Sequence, residues 1–182
     1  MAIEKTDSLF PAQPLVKVLK EHCSYDKAKG FRTDNWDLFV KAVQDDNELG
    51  SFLIKRFVGN GSSAYVFETQ DGDILKLSVG SHFPQGRPHE SFDVPVKKHG
   101  KVGKVHYYVE EMLSQHDMPN YFVNLVVEKI KKAGYKADDL HETDIHQIGL
   151  SQKGELYLLD PECAKFKTIF HALWYKLRKI FK

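Results

Sequence analysis

Three aspartates, Asp139, Asp144 and Asp160, lie close together near the end of the chain. The first two enclose Leu-His-Glu-Thr, and the third directly follows the apolar run Leu-Tyr-Leu-Leu. One carboxylate can orient or deprotonate an acceptor hydroxyl, and two others can ligate the Mg²⁺ that bridges nucleotide phosphates. A solvated acidic loop explains any one of them taken singly, but Asp160 ends an apolar strand, where a charge needs a reason. The pattern predicts a site for magnesium and a phosphate donor.

A glycine-rich turn and a strand lysine precede these acids. Gly59-Asn60-Gly61 separates two β-like runs, and such a turn can lay backbone N–H groups over nucleotide phosphates. An ordinary hairpin turn favours the same residues, so that interpretation stays open. Lys76 alternates with Leu75 and Leu77, which places it on the opposite strand face, where it either reaches phosphates or simply faces solvent.

Hydrophobic periodicity predicts the elements that position these side chains. Two amphipathic helices precede residue 50, and a helix starting at Pro119 ends at Gly134. Strands are predicted at residues 52–58, 65–69, 74–79, 94–104, 105–112, 145–150 and 156–159, with a loop or at most one helical turn over residues 80–95.

In this order the motifs resemble those of the protein-kinase-like superfamily, and in size a minimal bacterial or phage-type member with a truncated carboxy-terminal lobe. The matching residues are Gly59, Gly61 and Val66 in the glycine-rich loop, Lys76 on the third strand, Tyr107 to Leu113 in the hinge strand, Asp139-Leu140-His141 in the catalytic loop, and Asp144 and Asp160 at the metal positions. The resemblance implies that Asp139 and Lys76 are catalytic, that Gly59, Gly61, Val66, Lys76, Glu110 and Met112 contact ATP, and that Asp144 and Asp160 bind Mg²⁺.

The chain departs from the family pattern at several points. Ala64 replaces the third glycine, Asp144 replaces an asparagine, and Asp160-Pro-Glu replaces Asp-Phe-Gly. Because no clear helix follows Lys76, the family's glutamate partner for that lysine has only one weak candidate, Glu90.

The resemblance implies an α+β, bilobal kinase-like fold. We expect a five-stranded antiparallel sheet in the amino-terminal lobe, a much reduced helical carboxy-terminal lobe, and two preceding helices. The predicted domains are residues 1–50 (helical extension), 51–113 (first lobe) and 114–182 (reduced second lobe). The short segment after Asp160 leaves room for one helix.

The leading functional hypothesis is an ATP- and Mg²⁺-dependent phosphotransferase like a minimal Ser/Thr kinase, acting on a hydroxyl of a protein substrate. One alternative is a pseudokinase or nucleotide-binding interaction module without turnover. Another is an adaptor that uses residues 165–182, where an apolar face is flanked by basic residues only. This predicted helix caps its own core, lies on an anionic membrane or binds a partner.

Bulk composition limits the other functional classes. A net charge of +1 argues against a nucleic-acid-binding protein, and 42% hydrophobic residues is ordinary for a globular chain. No secretory signal or long apolar run is present, and Cys23 and Cys163 form no metal or disulfide pattern. We therefore expect a soluble cytoplasmic protein with free thiols, with delivery to a host cell or peripheral membrane association left open.

Overall fold

The computed structural model describes residues 11–28, 35–60, 64–79, 89–116, 118–138 and 140–168. The helices are α1 (Leu15–Ala28), α2 (Trp36–Asp45), the single turn α3 (Asn47–Gly50) and α4 (Tyr121–Lys132). The strands are β1 (Gln13–Pro14), β2 (Leu53–Asn60), β3 (Ala64–Thr69), β4 (Ile74–Val79), β5 (Val96–Val102), β6 (Val105–Glu110), β7 (Tyr135–Ala137), β8 (Ile148–Leu150), β9 (Leu156–Leu158) and β10 (Ala164–Phe166). The fold is therefore mixed α+β, as predicted.

Contacts divide the chain into two compact units. The first comprises Met1–Gly80 and Lys97–Glu110, and the second comprises Ser81–Val96 and Glu111–Lys182. Among the described helices, none is long and apolar enough to cross a membrane.

The first unit contains a six-stranded sheet in the order β1-β2-β3-β4-β6-β5. The pairings from β1 to β4 and between β4 and β6 are antiparallel. The prediction of five strands was wrong by one edge strand, because Gln13 and Pro14 pair with Ile54 and Leu53. Two residues carry no hydrophobic alternation, so the sequence gives no signal for this strand.

The amino-terminal helices share one core with this sheet. Leu15 and Leu19 on α1, and Trp36 and Phe39 on α2, are fully buried. They pack in the same cluster as Leu75 and the other inward-facing residues of the central strands. The spacing of these residues at three and four positions is what gives each helix one apolar face.

The second unit packs α4 against short strands. Val123, Val126 and Ile130 of α4 are fully buried and share a core with residues of β7 to β10. The helix ends as predicted near Gly134, whose φ of 90° is the left-handed conformation that glycine adopts readily. The strands pair antiparallel, β8 with β9 and β7 with β10.

Two predicted elements of the second unit differ in the structure. Ile145–Gln147 forms a 3₁₀ turn before β8, so the predicted strand 145–150 is half as long. Ala164–Phe166 is a strand, so the helix predicted from residue 165 does not begin there, and residues 169–182 lie outside the described part. Phe166 faces the core through its register with Tyr135, a long-range pairing that a helical period in the sequence does not reveal.

Candidate functional site

Lys76 lies in the middle of β4, on the face opposite the core, as its alternation with leucines predicted. Leu75 and Leu77 are fully buried in the core, whereas the Lys76 side chain is 13% exposed. Its cross-strand neighbours on the same face are Val66 and Tyr108. The lysine therefore occupies a largely enclosed position and is not the solvent-facing residue of the alternative interpretation.

Glu110 forms an ion pair with Lys76. The Lys76 Nζ lies 2.8 Å from Glu110 Oε2, and the Glu110 side chain is only 1% exposed. Because Ile74 is opposite Glu110 and Lys76 is opposite Tyr108, the two charged residues are diagonal neighbours on adjacent strands. A carboxylate this deeply buried needs a cation, and Lys76 supplies one.

A second buried carboxylate on this face of the sheet, Glu68, has different partners. Burial raises the pKa of Glu68, but hydrogen bonds from Lys55 and Arg56 outweigh burial, and the pKa is lowered overall. Both cations are about half exposed, whereas Lys76 is largely enclosed. Glu68 is thus paired with two cations that are about half exposed, whereas both side chains of the Lys76–Glu110 pair are largely enclosed.

Glu90, the weak candidate for the Lys76 partner, has other contacts. Its carboxylate accepts a hydrogen bond from the Tyr135 hydroxyl at 2.7 Å, and its backbone N–H donates to Asp93. Tyr135 and Asp93 both belong to the second unit. Glu90 therefore stabilises the core region of that unit, and among the described residues Glu110 forms the ion pair with Lys76.

The glycine turn is partly described. Gly59 and Asn60 end β2, pairing with Val66 and Tyr65, and a register shift between Phe57 and Gly59 marks an irregularity. A Cβ placed on Gly59 would meet no atom of the described residues within 4 Å, so no described side chain covers the backbone from that side. Gly61, predicted to contact the nucleotide, lies outside the described residues.

Met112 lies just after β6, which ends at Glu110, two residues before the predicted end of that strand. Its side chain is 38% exposed. The flanking backbone is held by hydrogen bonds from Glu111 to Pro95 and between Ser114 and Leu150. The segment is thus fixed by its backbone while the Met112 side chain faces outward.

Asp144 closes a short loop with His141. Its Oδ2 accepts a hydrogen bond from the His141 N–H at 2.7 Å, and its own N–H donates to the His141 carbonyl at 2.9 Å. The carbonyl of Asp144 then accepts from Gln147 as the 3₁₀ turn begins. One carboxylate oxygen therefore organises the loop.

Asp160 plays a comparable part at the end of β9. Its Oδ1 accepts a hydrogen bond from the Glu162 N–H at 2.9 Å and caps a 3₁₀ turn over Pro161–Cys163. Two backbone bonds bring the loops together, from Leu159 to Gln147 and from Asp138 to Cys163. The loops that carry Asp144 and Asp160 are therefore joined between Gln147 and Leu159, while Asp139, the predicted catalytic residue, lies outside the described residues.

Asp138, for which no role was predicted, forms ion pairs with two lysines. Hydrogen bonds from Lys136 and Lys165, at 2.8 and 2.7 Å, hold the pKa of the Asp138 carboxyl at about 2. The alternation Lys136-Ala137-Asp138 signals the first contact, since residues two apart share one side of an extended segment. The second contact depends on the pairing of β7 with β10.

Asp144 and Asp160 lack such clamps within the described ranges. Oδ1 of Asp144 and Oδ2 of Asp160 receive no hydrogen bond from described residues, and neither carboxylate has an ion-pair partner there. In that part of the chain no group of three or more His, Cys, Asp or Glu could hold a metal. Two carboxylates nonetheless fit Mg²⁺, which proteins bind with one or two carboxylates plus substrate phosphates.

Comparison of the sequence with protein-family models and with curated proteins found no match. The functional interpretation therefore depends on the site residues themselves.

Proposed function

We propose that this protein is an ATP- and Mg²⁺-dependent phosphotransferase, resembling a minimal Ser/Thr protein kinase, that transfers the γ-phosphate to a hydroxyl of a protein substrate. The observation that carries the proposal is the state of Asp144 and Asp160. They lie on loops joined by the backbone hydrogen bond from Leu159 to Gln147, with one oxygen of each carboxylate held by backbone and the other without a protein partner in the described residues. Carboxylates that bind a cation are expected to have an oxygen available in this way.

The second unit would hold the metal and the acceptor. Asp144 and Asp160 would bind Mg²⁺, which, when present, neutralises charge on the phosphates. Asp139 would orient the acceptor hydroxyl, in keeping with its place in the Asp-Leu-His motif five residues before Asp144. The backbone hydrogen bonds to Asp144 and Asp160 would keep both side chains in place without a cation, so that little ordering is needed on binding.

The first unit would hold the phosphates. Lys76 is a cation on the sheet face away from the core, and its side chain is 13% exposed, so water would screen its attraction to phosphate only weakly. The open side of Gly59 would let a phosphate approach backbone N–H groups, and Val66 beside it would contact the nucleotide. We propose the first unit as a kinase-like amino-terminal lobe and the second as a reduced carboxy-terminal lobe.

The test is phosphate transfer from radiolabelled ATP by the purified full chain, with Mg²⁺ and generic acceptor proteins such as casein and histone. We expect the wild type to label itself or an acceptor, and Lys76→Met and Asp160→Asn to lower the rate by about 100-fold or more. Asp160→Asn keeps an oxygen that can cap the 3₁₀ turn, so its loss of rate reflects the charge.

Glu162→Gln is the matched control, because it removes an exposed neighbouring carboxylate. It should label at the wild-type rate. ATP binding without phosphate transfer would replace this proposal with a nucleotide-binding module. If the protein neither binds ATP nor transfers phosphate, both functions are excluded.

A further inference from the structure

The Lys76–Glu110 pair is set by strand register. Both residues lie on described strands of one sheet, and β4 and β6 pair without a shift from Ile74–Glu110 to Val79–Val105. The lysine and the carboxylate therefore emerge from the same face, with one residue pair, Leu75–Val109, between them along the ladder. A side chain of this length can close a diagonal separation of that size, as the 2.8 Å contact shows.

The burial of both side chains restricts where the Lys76 ammonium can lie. A lysine has four rotatable bonds and loses that freedom only when its ammonium is held. The Glu110 carboxylate is 1% exposed and is carried by a backbone that the ladder fixes, so the carboxylate itself has little room to move. The ammonium is thus drawn to one place on the sheet face.

We infer that Glu110 is the positioning residue for Lys76 and that the sheet itself holds the lysine ready for phosphate. The sequence assigned Glu110 to nucleotide contact in the hinge strand and left the lysine with only Glu90 as a weak partner. Because the partner comes from an adjacent strand, no helix has to move for the pair to form. This inference rests on the proposed phosphotransfer, since it is the nucleotide that gives the position of Lys76 its use.

The positioning role of Glu110 predicts a particular kinetic effect. Glu110→Gln removes the charge that holds the ammonium but leaves Lys76 itself in place. A misplacement of about 1 Å can cost about 100-fold in rate, so we expect the single-turnover rate to fall by about that factor. The KM for ATP should change by less than about threefold, because the cationic group is still present to meet the phosphates.

A double-mutant cycle with Lys76→Met separates positioning from a purely structural role. If Glu110 acts through Lys76, then Glu110→Gln has no further effect on the rate of the Lys76→Met variant. Single-turnover measurements with radiolabelled ATP keep slow variants measurable. The inference is overturned if Glu110→Gln lowers the rate of the Lys76→Met variant by the same factor as it lowers the wild-type rate. It is also overturned if the Glu110→Gln rate equals the wild-type rate.

Two further variants test the inference even if Glu110→Gln misfolds. Glu110→Asp keeps the charge but withdraws the carboxylate by one methylene; we expect a fall of about tenfold in rate with a folded circular dichroism spectrum, and a wild-type rate would contradict the inference even if Glu110→Gln does not fold. Glu68→Gln is the matched control, a buried ion-paired acid of the same sheet; it should be less stable yet turn over normally.

The results also distinguish the two proposals. Wild-type protein that neither binds MgATP nor transfers phosphate would overturn the proposed function and the inference together. Wild-type protein that transfers phosphate, with a Glu110→Gln rate that is unchanged or independent of Lys76, would overturn the inference alone.

Discussion

At the scale of single residues, the partner of each aspartate separates its role from that of its neighbours. Asp138 is clamped by two ammonium groups, whereas Asp144 and Asp160 are held only by backbone N–H groups in the described chain. A carboxylate already neutralised by lysines is poorly suited to a metal. The same residue type thus serves packing of the loop in one case and, in our proposal, cation binding in the others.

The Asp138 clamp predicts a specific acid sensitivity. The pKa of the folded state, about 2, lies below the unperturbed 3.8, so the clamp contributes stability above about pH 4 and loses it as the pH falls toward 2. Asp138→Asn should therefore lower the urea midpoint at pH 6 and leave it unchanged near pH 2. The shift should be small, because Lys136 is 64% exposed.

Asp71→Asn, in the exposed turn before β4, is the control for this measurement. The difference in urea midpoint between Asp71→Asn and the wild type should not shrink in this way as the pH falls from 6 to 2. An Asp138→Asn deficit that persists undiminished at pH 2 would contradict the assignment of the clamp.

Asp144 predicts a graded series. Asp144→Asn keeps an acceptor for the His141 N–H and an oxygen ligand for the metal, whereas Asp144→Ala loses both. We expect phosphate transfer to decrease from wild type to Asn to Ala, with Asn within about tenfold of wild type and Ala at least about 100-fold lower. Equal rates for Asn and Ala would show that the carbonyl oxygen contributes nothing.

Side-chain roles were predictable from the sequence only where alternation decides them. The face of Lys76 follows from its leucine neighbours, and the structure confirms it. The pairing of Lys76 with Glu110 depends on which residues of β4 and β6 are opposite each other. Register is set by turns and packing across the 33 positions between Lys76 and Glu110, which local patterns do not encode.

At the scale of elements, α4 shows how burial divides one helix into two faces. Ile130 is fully buried in the second core, whereas Leu125, on the same helix, is 43% exposed. Ile130→Ala should lower the free energy of unfolding by about 2–5 kcal/mol, because it leaves a cavity among packed side chains.

Leu125→Ala removes the same number of carbon atoms and is the matched control. It should change the free energy of unfolding by less than about 0.5 kcal/mol. Chemical denaturation followed by circular dichroism compares the two, and equal losses would contradict the assigned orientation of the helix.

Element types were predictable where a long apolar period coincides with turn residues. Strands β2, β3 and β4 and helix α4 follow such patterns, with Gly72 and Gly134 at positive φ where turns were expected. The strand predicted at residues 145–150 was wrong over Ile145–Gln147, because an apolar residue followed by polar ones fits a 3₁₀ turn and a strand start equally well. The helix predicted from residue 165 was wrong over residues 165–166, because an aromatic residue spaced for a helix also suits a strand that pairs with β7.

At the scale of the whole molecule, the two compact units have separate cores, and the amino-terminal helices belong to the first. Leu19 of α1 and Leu75 of β4 are fully buried in one cluster. A substitution in the core-facing side of α1 should therefore lower the stability of the sheet. Leu19→Ala should speed hydrogen exchange at the amides of β3, β4 and β6, because the cavity lowers the stability of the shared core.

Lys17→Ala, on the exposed face of the same helix, is the control and should leave exchange in the sheet unchanged. Exchange in the sheet that is equally slow in Leu19→Ala and the wild type would show that the helices do not stabilise it.

The most direct test of the central claim is calorimetric titration of ATP into the full chain, with Mg²⁺ and then with EDTA. We predict that wild-type protein binds ATP and that Mg²⁺ tightens binding by about tenfold or more. Asp160→Asn should bind ATP but lose the dependence on Mg²⁺, and Lys76→Met should bind more weakly in both conditions. Failure of the wild type to bind ATP, or an Asp160→Asn variant with the full magnesium dependence, would contradict the account.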